Sequence, residues 1–333
     1  MKKILHPNDK IIRTNINAVV PIKSNPELDK IKSLTHKDIK ASNPPIPENI
    51  LSPWLPEQGL ALIYAAAGVG KTLFSLNIAY CIAAGGNFLT YKVQKPKKVL
   101  YVDGEMQFAR IHARYMDIIK QQGDLDKITE NNFFLLNQDK ISPFRLPKID
   151  TLEGQLFYNK IIKENDIDVV FFDNFACLST FDENVAEEWN FVQDWFLDLR
   201  AKGKSVIAVH HAGKDKKGYR GTSRMIDCID TAISLQDISE EKLENESVNC
   251  KRFKVEYKKN RTFSGKDALP FEISLDISGW GSQSLENSTT DRIIDMLKLK
   301  MTHKDIGLEL GFSRSYISRL VRKSIKNGLI QID

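Results

Sequence analysis

Residues 59–72 read GLALIYAAAGVGKT, an apolar run that breaks into a loop of small residues and ends on Lys71 and Thr72. Gly59–Tyr64 has the length and composition of a buried strand, and the uncharged stretch after Lys71 has those of an apolar helix running to Ala84. Between them, Ala65–Thr72 matches the phosphate-binding loop pattern except at its first position, where Ala65 replaces glycine. Gly68 and Gly70 let backbone N–H groups turn inward, so that Ala66, Ala67, Gly68, Val69, Gly70, Lys71, Thr72 and Leu73 form an expected phosphate cradle at a helix N-terminus. Lys71 is then placed for the β- and γ-phosphates and the Thr72 hydroxyl for Mg²⁺, which makes ATP with Mg²⁺ the expected ligand.

The same alternation continues on both sides of this loop. Lys98–Asp103 (KVLYVD), Asp168–Phe172 (DVVFF) and Ser205–Val209 (SVIAV) are short apolar runs bounded by polar residues, as expected of strands buried on both faces. Val185, Trp189, Val192, Trp195, Phe196 and Leu199 recur at helical spacing and stop at Gly203. This order predicts βαβ units and a mostly parallel sheet. Thr231–Leu235, Phe253–Tyr257 and Phe271–Leu275 look closer to antiparallel strands, and the polar, glycine-containing residues 276–288 read as a linker. Asp173 closes DVVFFD about 100 residues after the loop, where a magnesium-binding carboxylate is required; the alternative is an Asp capping the next helix.

Composition excludes several classes. The 333 residues predict about two domains, and 42% hydrophobic with 27% charged residues is ordinary for a globular chain. The four cysteines lie far apart, which argues against a disulfide scaffold or a zinc ribbon. The N-terminus has no apolar signal segment, and the uncharged residues 72–91 are interrupted by Asn77, Asn87 and Gly85-Gly86. A buried helix with a glycine cap, and a cytoplasmic protein without a membrane partner, are expected. The net charge of +5 is unevenly spread: residues 1–40 hold 9 basic and 4 acidic residues, and residues 289–333 hold 9 and 5. Basic ends on a slightly acidic middle point to nucleic acid.

Further residues carry a resemblance. KVLYVDGEM places Glu105 just beyond a strand, SVIAVHHAGKD ends a strand on two histidines, and VEYKKNRTFSG bears a Lys-x-Arg pair. Taken in order over residues 50–275, these resemble RecA-fold hexameric helicases, most closely the plasmid RepA-type and DnaB-type replicative helicases. The resemblance implies an ATPase with Glu105 as catalytic carboxylate and His211 as γ-phosphate sensor. It also implies that Lys259 and Arg261 are inserted into the neighbouring subunit's site. Asp103 is a rival base, one of His210 and His211 faces the sheet interior as a core residue, and Lys259 and Arg261 have solvated strand charges as their alternative. Their i, i+2 spacing puts both on one face of a strand.

Two elements point to DNA. The loop 213–224 carries Lys214, Lys216, Lys217, Arg220 and Arg224 with one acid and Tyr219, which suits tracking of a single strand; a solvated loop is the alternative. Residues 289–333 read as a helix-turn-helix, with a helix from Thr290 to Leu299, a second capped by Thr302, a turn at Gly311-Phe312-Ser313 and a third helix capped by Ser313 and running to about Lys326, then NGLIQI as the first strand of a wing. Arg314 and Ser315 lie at the helix start, where base contacts are made, and Arg319 is a further expected DNA contact on that basic helix, although a helical protein-interaction module has the same pattern. The expected organisation is a basic arm at 1–43, poorly ordered or docking a subunit, and a RecA-like P-loop domain at 44–275. The 276–288 linker and a small winged-helix or helix-turn-helix domain at 289–333 follow. The expected function is a homohexameric ATP-dependent DNA helicase or translocase of plasmid, phage or mobile-element replication. Single-stranded DNA would occupy the ring channel and duplex DNA the helix-turn-helix. The rivals are an ATP-switched DNA-binding regulator and a recombinase-like DNA-dependent ATPase.

Overall fold

The computed structural model describes residues 32–122, 125–180, 186–213, 219, 223–239, 250–276 and 279–326. Residues up to Ile46 group as one unit and Pro47 onward as a second. In the first, helix α1 (His36–Ala41) starts at Thr35, whose side chain and that of Asp38 cap each other's backbone N–H groups.

The second unit runs β1 (Asn49–Ser52), β2 (Leu55–Pro56), β3 (Leu60–Ala65), α2 (Lys71–Ala84), β4 (Asn87–Phe88), β5 (Tyr91–Val93) and β6 (Val99–Asp103). It continues α3 (Phe108–Gln122), α4 (Asp126–Thr129), β7 (Phe133–Asn137), α5 (Leu152–Glu164), β8 (Val169–Asp173), α6 (Phe175–Leu178), α7 (Ala186–Ala201) and β9 (Ser205–His211). Last come β10 (Thr231–Asp237), β11 (Lys251–Asn260), β12 (Phe271–Asp276), β13 (Gly279–Ser284), α8 (Leu285–Lys298), α9 (His303–Leu310) and α10 (Arg314–Lys326). Nine strands form one sheet in the order β13-β12-β11-β10-β3-β9-β8-β6-β7, and β2-β1-β5-β4 form a small antiparallel one.

β3, which leads into the phosphate loop, lies inside the parallel part, with β10 and β9 as neighbours. Alternation sorts its side chains: Ala61, Ile63 and Ala65 join Val169, Phe171 and Ile207 in the core under α2. Leu60, Leu62 and Tyr64 join Val170, Phe172, Trp195 and Phe196 in the core under α5 and α7. Both sides being apolar explains why these strands read as continuous hydrophobic runs. Helix α2 is itself buried from Phe74 to Ala84 and ends at Gly85, whose φ of +74° closes it in the left-handed region. The uncharged stretch is thus a core helix, and among the described residues no helix is long and apolar enough to cross a membrane.

The structure corrects three expectations. β10 is not purely antiparallel: it pairs in parallel with β3 and antiparallel with β11, so it joins the two halves of the sheet. Residues 279–284, expected in a linker, form edge strand β13 on β12, and α8 begins at Leu285 rather than Thr290. The polar composition of 276–288 reflects an edge strand with a solvated face, not a flexible connector. The small sheet from residues 49–56 and 87–93 has no periodic signal, because its strands are only two to four residues long. Residues 1–31 of the basic arm expected at 1–43, the residues after 326 expected to start a wing, and most of the loop 213–224 lie outside the described residues.

The three C-terminal helices share a core of Ile293, Ile306, Ile317, Leu320 and Val321, while α8 packs on β12 and β13. Thr302 caps α9, Gly311 (φ +71°) ends it and the Ser313 hydroxyl accepts from the Tyr316 N–H, as the sequence predicts. Beneath α8, Arg252 of β11 and Glu272 of β12 form a buried ion pair. Arg252→Ala should cost about 3–5 kcal/mol by removing the cation paired with the buried Glu272 carboxylate. The double change Arg252→Met with Glu272→Leu should recover most of that loss in urea denaturation.

Candidate functional site

The phosphate loop takes its shape from two glycines. Gly68 (φ +79°) and Gly70 (φ +101°) occupy the left-handed region, and an added Cβ would meet nothing within 4 Å at Gly68 and only the Phe253 ring at 3.8 Å at Gly70. Conformation, not space, therefore requires glycine there. Gly70 heads α2 without a side-chain cap, and the first turn carries no acid. The N–H groups of that turn are left to an anion, with the helix dipole favouring it. Lys71 is 7% exposed beside them. Ala65 ends β3 fully buried in the sheet, so alanine at the first position of the motif is tolerated because it packs as a strand residue.

Asp173 ends β8 on the α2 side of the sheet, 2% exposed. The Tyr101 hydroxyl donates to its Oδ2 at 2.7 Å, and the Thr72 hydroxyl also bonds to it. Burial pushes this carboxyl up, opposed by those two donors and the Lys71 charge. It does not cap α6, which starts at the Asn174 side chain. A hydroxyl and a carboxylate are the hard oxygen donors that Mg²⁺ takes, with waters and phosphate completing its shell.

Asp103 and Glu105 part company in the structure. Asp103 is 1% exposed and both its oxygens are occupied. Oδ1 accepts from the N–H groups of Glu105 and Met106 at 3.3 and 3.2 Å, and Oδ2 from the Asn137 side chain at 2.6 Å. It shapes the turn after β6. Glu105 is exposed and lines the same cleft as Gly68–Leu73, with the Asn174 side chain donating to its Oε2.

His210 is buried, its ring 6.1 Å from that of Phe175, whereas His211 pairs in register with Ala65 at the start of the phosphate loop. By alternation His211 shares the α2 side with Asp173. Of the loop that follows, Lys214, Lys216, Lys217 and Arg220 lie outside the described residues; Arg224 falls in a short 3-10 turn, Ser223–Ile226. Tyr219, the aromatic of that loop, packs edge-on against Tyr64 at 5.8 Å and bridges to Ala212. It anchors the loop base to the core.

Lys259 and Arg261 do come together: the Lys259 ammonium donates to the carbonyls of Ile226 and Asp227, and Arg261 to that of Asp227 at 2.7 Å. They lie at the other end of the sheet from their own phosphate loop. Lys259 is level with Ala232 and hence Leu62, and the Arg261 N–H reaches Asp230, which bonds to Leu60. In the C-terminal helices, Arg314, Ser315 and Arg319 are exposed on α10, with Arg319 5.1 Å over the Tyr316 ring.

Several residues of the cleft have no motif. Its volume is about 520 Å³, and Arg110, Arg114, Lys251, Phe253 and Trp280 line it together with the loop. It adjoins a second pocket of about 460 Å³ that shares Leu73, Arg114, Leu275 and Trp280. Trp280 belongs to β13 and is held by Phe74, Phe88 and Phe253 at 5.5–6.3 Å. The helical spacing of Arg110 and Arg114 marks one face of α3; nothing local marks Lys251, Phe253 or Trp280, which pairing across β11–β13 brings in.

Residues 24–217 match the profile of the AAA domain family. Among solved structures, the chain is similar to a KaiC-like protein from the hyperthermophilic archaeon Pyrococcus horikoshii OT3. The identity is 14% and the TM-score 0.49, covering 70% of this chain and 93% of that one. Among curated proteins none matches.

Burial raises the Asp103 carboxyl to about 6. The folded chain therefore keeps a proton that the unfolded chain loses near pH 4. This stabilisation, on the order of 3 kcal/mol, is present below pH 4 and lost as pH rises through 6. Unfolding measured across that window should show a shallower fall for Asp103→Asn than for the wild type.

Proposed function

The chain belongs to the AAA domain family, which makes it a P-loop ATPase, and from that premise we propose that it is a ring-forming, DNA-dependent helicase or translocase of the RepA type. The observation that carries this reading is the place of Lys259 and Arg261. From the level of Leu60–Leu62 to Ala65 is three to five strand residues, or roughly 10–16 Å, so the pair is directed away from its own phosphates. A cation pair so placed serves the site of a neighbouring copy.

Within one site, the amides of residues 66–73 and Lys71 hold the phosphates of ATP, and Thr72 and Asp173 hold Mg²⁺. Bound there, Mg²⁺ would neutralise charge on the β- and γ-phosphates. Glu105, steadied by Asn174, orients or deprotonates the attacking water. The neighbour's Lys259 and Arg261 stabilise charge on the transferred group. The cleft beyond Leu73, walled by Arg114 and Trp280, takes the nucleoside. His211, level with Ala65, links the γ-phosphate end to the loop 213–224, which grips the strand through Lys214, Lys216, Lys217, Arg220 and Arg224. The three C-terminal helices are a helix-turn-helix, with Arg314, Ser315 and Arg319 of α10 facing duplex DNA.

One observation favours the alternative of an ATP-switched DNA-binding regulator. Helix α8 rests on β12 and β13, the strands that supply Leu275 and Trp280 to the cleft, so the nucleotide and the C-terminal helices share a support. Unwinding of a forked duplex separates the two, since a regulator binds without unwinding.

Glu105→Gln should lower ATP hydrolysis by at least about 10²-fold while leaving nucleotide binding intact, as expected for loss of a positioned base. Single-stranded DNA should stimulate the wild-type ATPase, and Arg261→Ala should lose on the order of 10³-fold with binding retained. Mixing Glu105→Gln with Arg261→Ala chains should restore part of the activity at interfaces that pair an intact Glu105 with an intact Arg261. Full DNA-independent hydrolysis by a monomer would sink the ring reading.

A further inference from the structure

Tyr101 sits in the middle of β6, away from the cleft surface, and no role was read for it from the sequence. It is fully buried, and its ring is stacked near-parallel (20°) on Phe171 at 5.5 Å and on Phe133 at 6.5 Å. Phenylalanine would fill this slot equally well, so packing does not account for the hydroxyl. A hydroxyl so buried costs free energy unless it is bonded. Its partners are both parts of the phosphate site: it donates to Asp173 Oδ2 at 2.7 Å, and it lies 2.8 Å from Ser75 Oγ on α2. Each hydroxyl has one proton and that of Tyr101 is on Asp173, so Ser75, also fully buried, donates to Tyr101, with the Thr72 carbonyl 3.1 Å away as its alternative acceptor. A buried relay from Ser75 to Tyr101 to Asp173 thus joins the phosphate-loop helix to the strand that ends at Asp173, through a route that no substrate atom enters.

We propose that Tyr101 is a positioning residue for the metal site: its hydroxyl, tied to the phosphate-loop helix through Ser75, holds the Asp173 carboxylate in the orientation that takes Mg²⁺ beside Thr72. The physical reason is that a carboxylate at the end of a strand can rotate about its last bond. The backbone of β6 sets the place of Tyr101, and one bond to Oδ2 fixes that rotation while leaving the other lone pairs to Thr72 and the ion. Ser75 matters because α2 and β8 are separate elements, and the bridge sets the distance between them. The proposal rests on the reading of this site as one for Mg²⁺ and ATP.

The test is a fluorescence titration of the full chain with mant-ATP, first in EDTA and then against added MgCl₂. Tyr101→Phe keeps the ring and should raise the Mg²⁺ half-saturation by about tenfold or more, the effect of losing a hydrogen bond to a charged group, with mant-ATP affinity in EDTA unchanged. Ser75→Ala should shift it in the same direction by less, and it carries the test if Tyr101→Phe fails to fold. Phe133→Leu loosens the stack without touching the hydroxyl and should lower the melting temperature while leaving the half-saturation at the wild-type value. A wild-type half-saturation in both Tyr101→Phe and Ser75→Ala, or an equal rise in Phe133→Leu, overturns the positioning role alone. Wild-type mant-ATP binding with no response to Mg²⁺ overturns the underlying reading of the site instead.

Discussion

A carboxylate held out of water beneath a phosphate loop is the constraint on which the rest of this molecule depends. Asp173 is 2% exposed at the end of a buried strand, where an ionised group is costly unless donors and cations surround it. Each neighbour supplies one of these: Thr72 and Tyr101 a hydroxyl, Lys71 a charge. Bringing them there requires β3, β9, β8 and β6 to lie in parallel register with α2 packed across one face, which is what the apolar runs of those strands achieve.

The antiparallel extension has a different task. β10 is the hinge of the sheet, parallel to β3 on one side and antiparallel to β11 on the other. Because β11 runs the opposite way, its first residues, Lys251 and Phe253, meet the cleft of their own chain, whereas Lys259 near its end and Arg261 just beyond it are carried to the far side. One long strand thereby contributes to a site at one end and presents a cation pair at the other. On its outer side β12 and β13 carry Trp280 to the phosphate-loop cleft and support α8 of the C-terminal helices, so the cleft and those helices share one wall.

Much of this was legible from local pattern. The strand, glycine loop, Lys71, Thr72 and helix form one contiguous signal, because phosphate binding needs neighbouring backbone amides and so cannot be scattered along a chain. Thr302, Gly311 and Ser313 were legible for the same reason: caps act within one turn. Illegible were Trp280 and the strand that holds it, since residues 276–288 have the composition of a linker and become a strand only by pairing with β12. Tyr219 shows the converse, an aromatic in a cationic loop that the structure spends on packing against Tyr64.

The choice between Asp103 and Glu105 marks the boundary most sharply. Sequence by itself determined that a carboxylate follows β6 in the chain after a phosphate-loop signature and that a second ends β8, because those features reside in short segments with fixed spacing. Only the tertiary structure decided which carboxylate of the first pair is available. Asn137 from β7 and two backbone amides occupy Asp103, and Asn174 from the turn after β8 directs Glu105 into the cleft. Asn137 lies 34 residues from Asp103 and Asn174 lies 69 from Glu105, and hydrogen bonds between such distant residues exist only once the sheet has set its register.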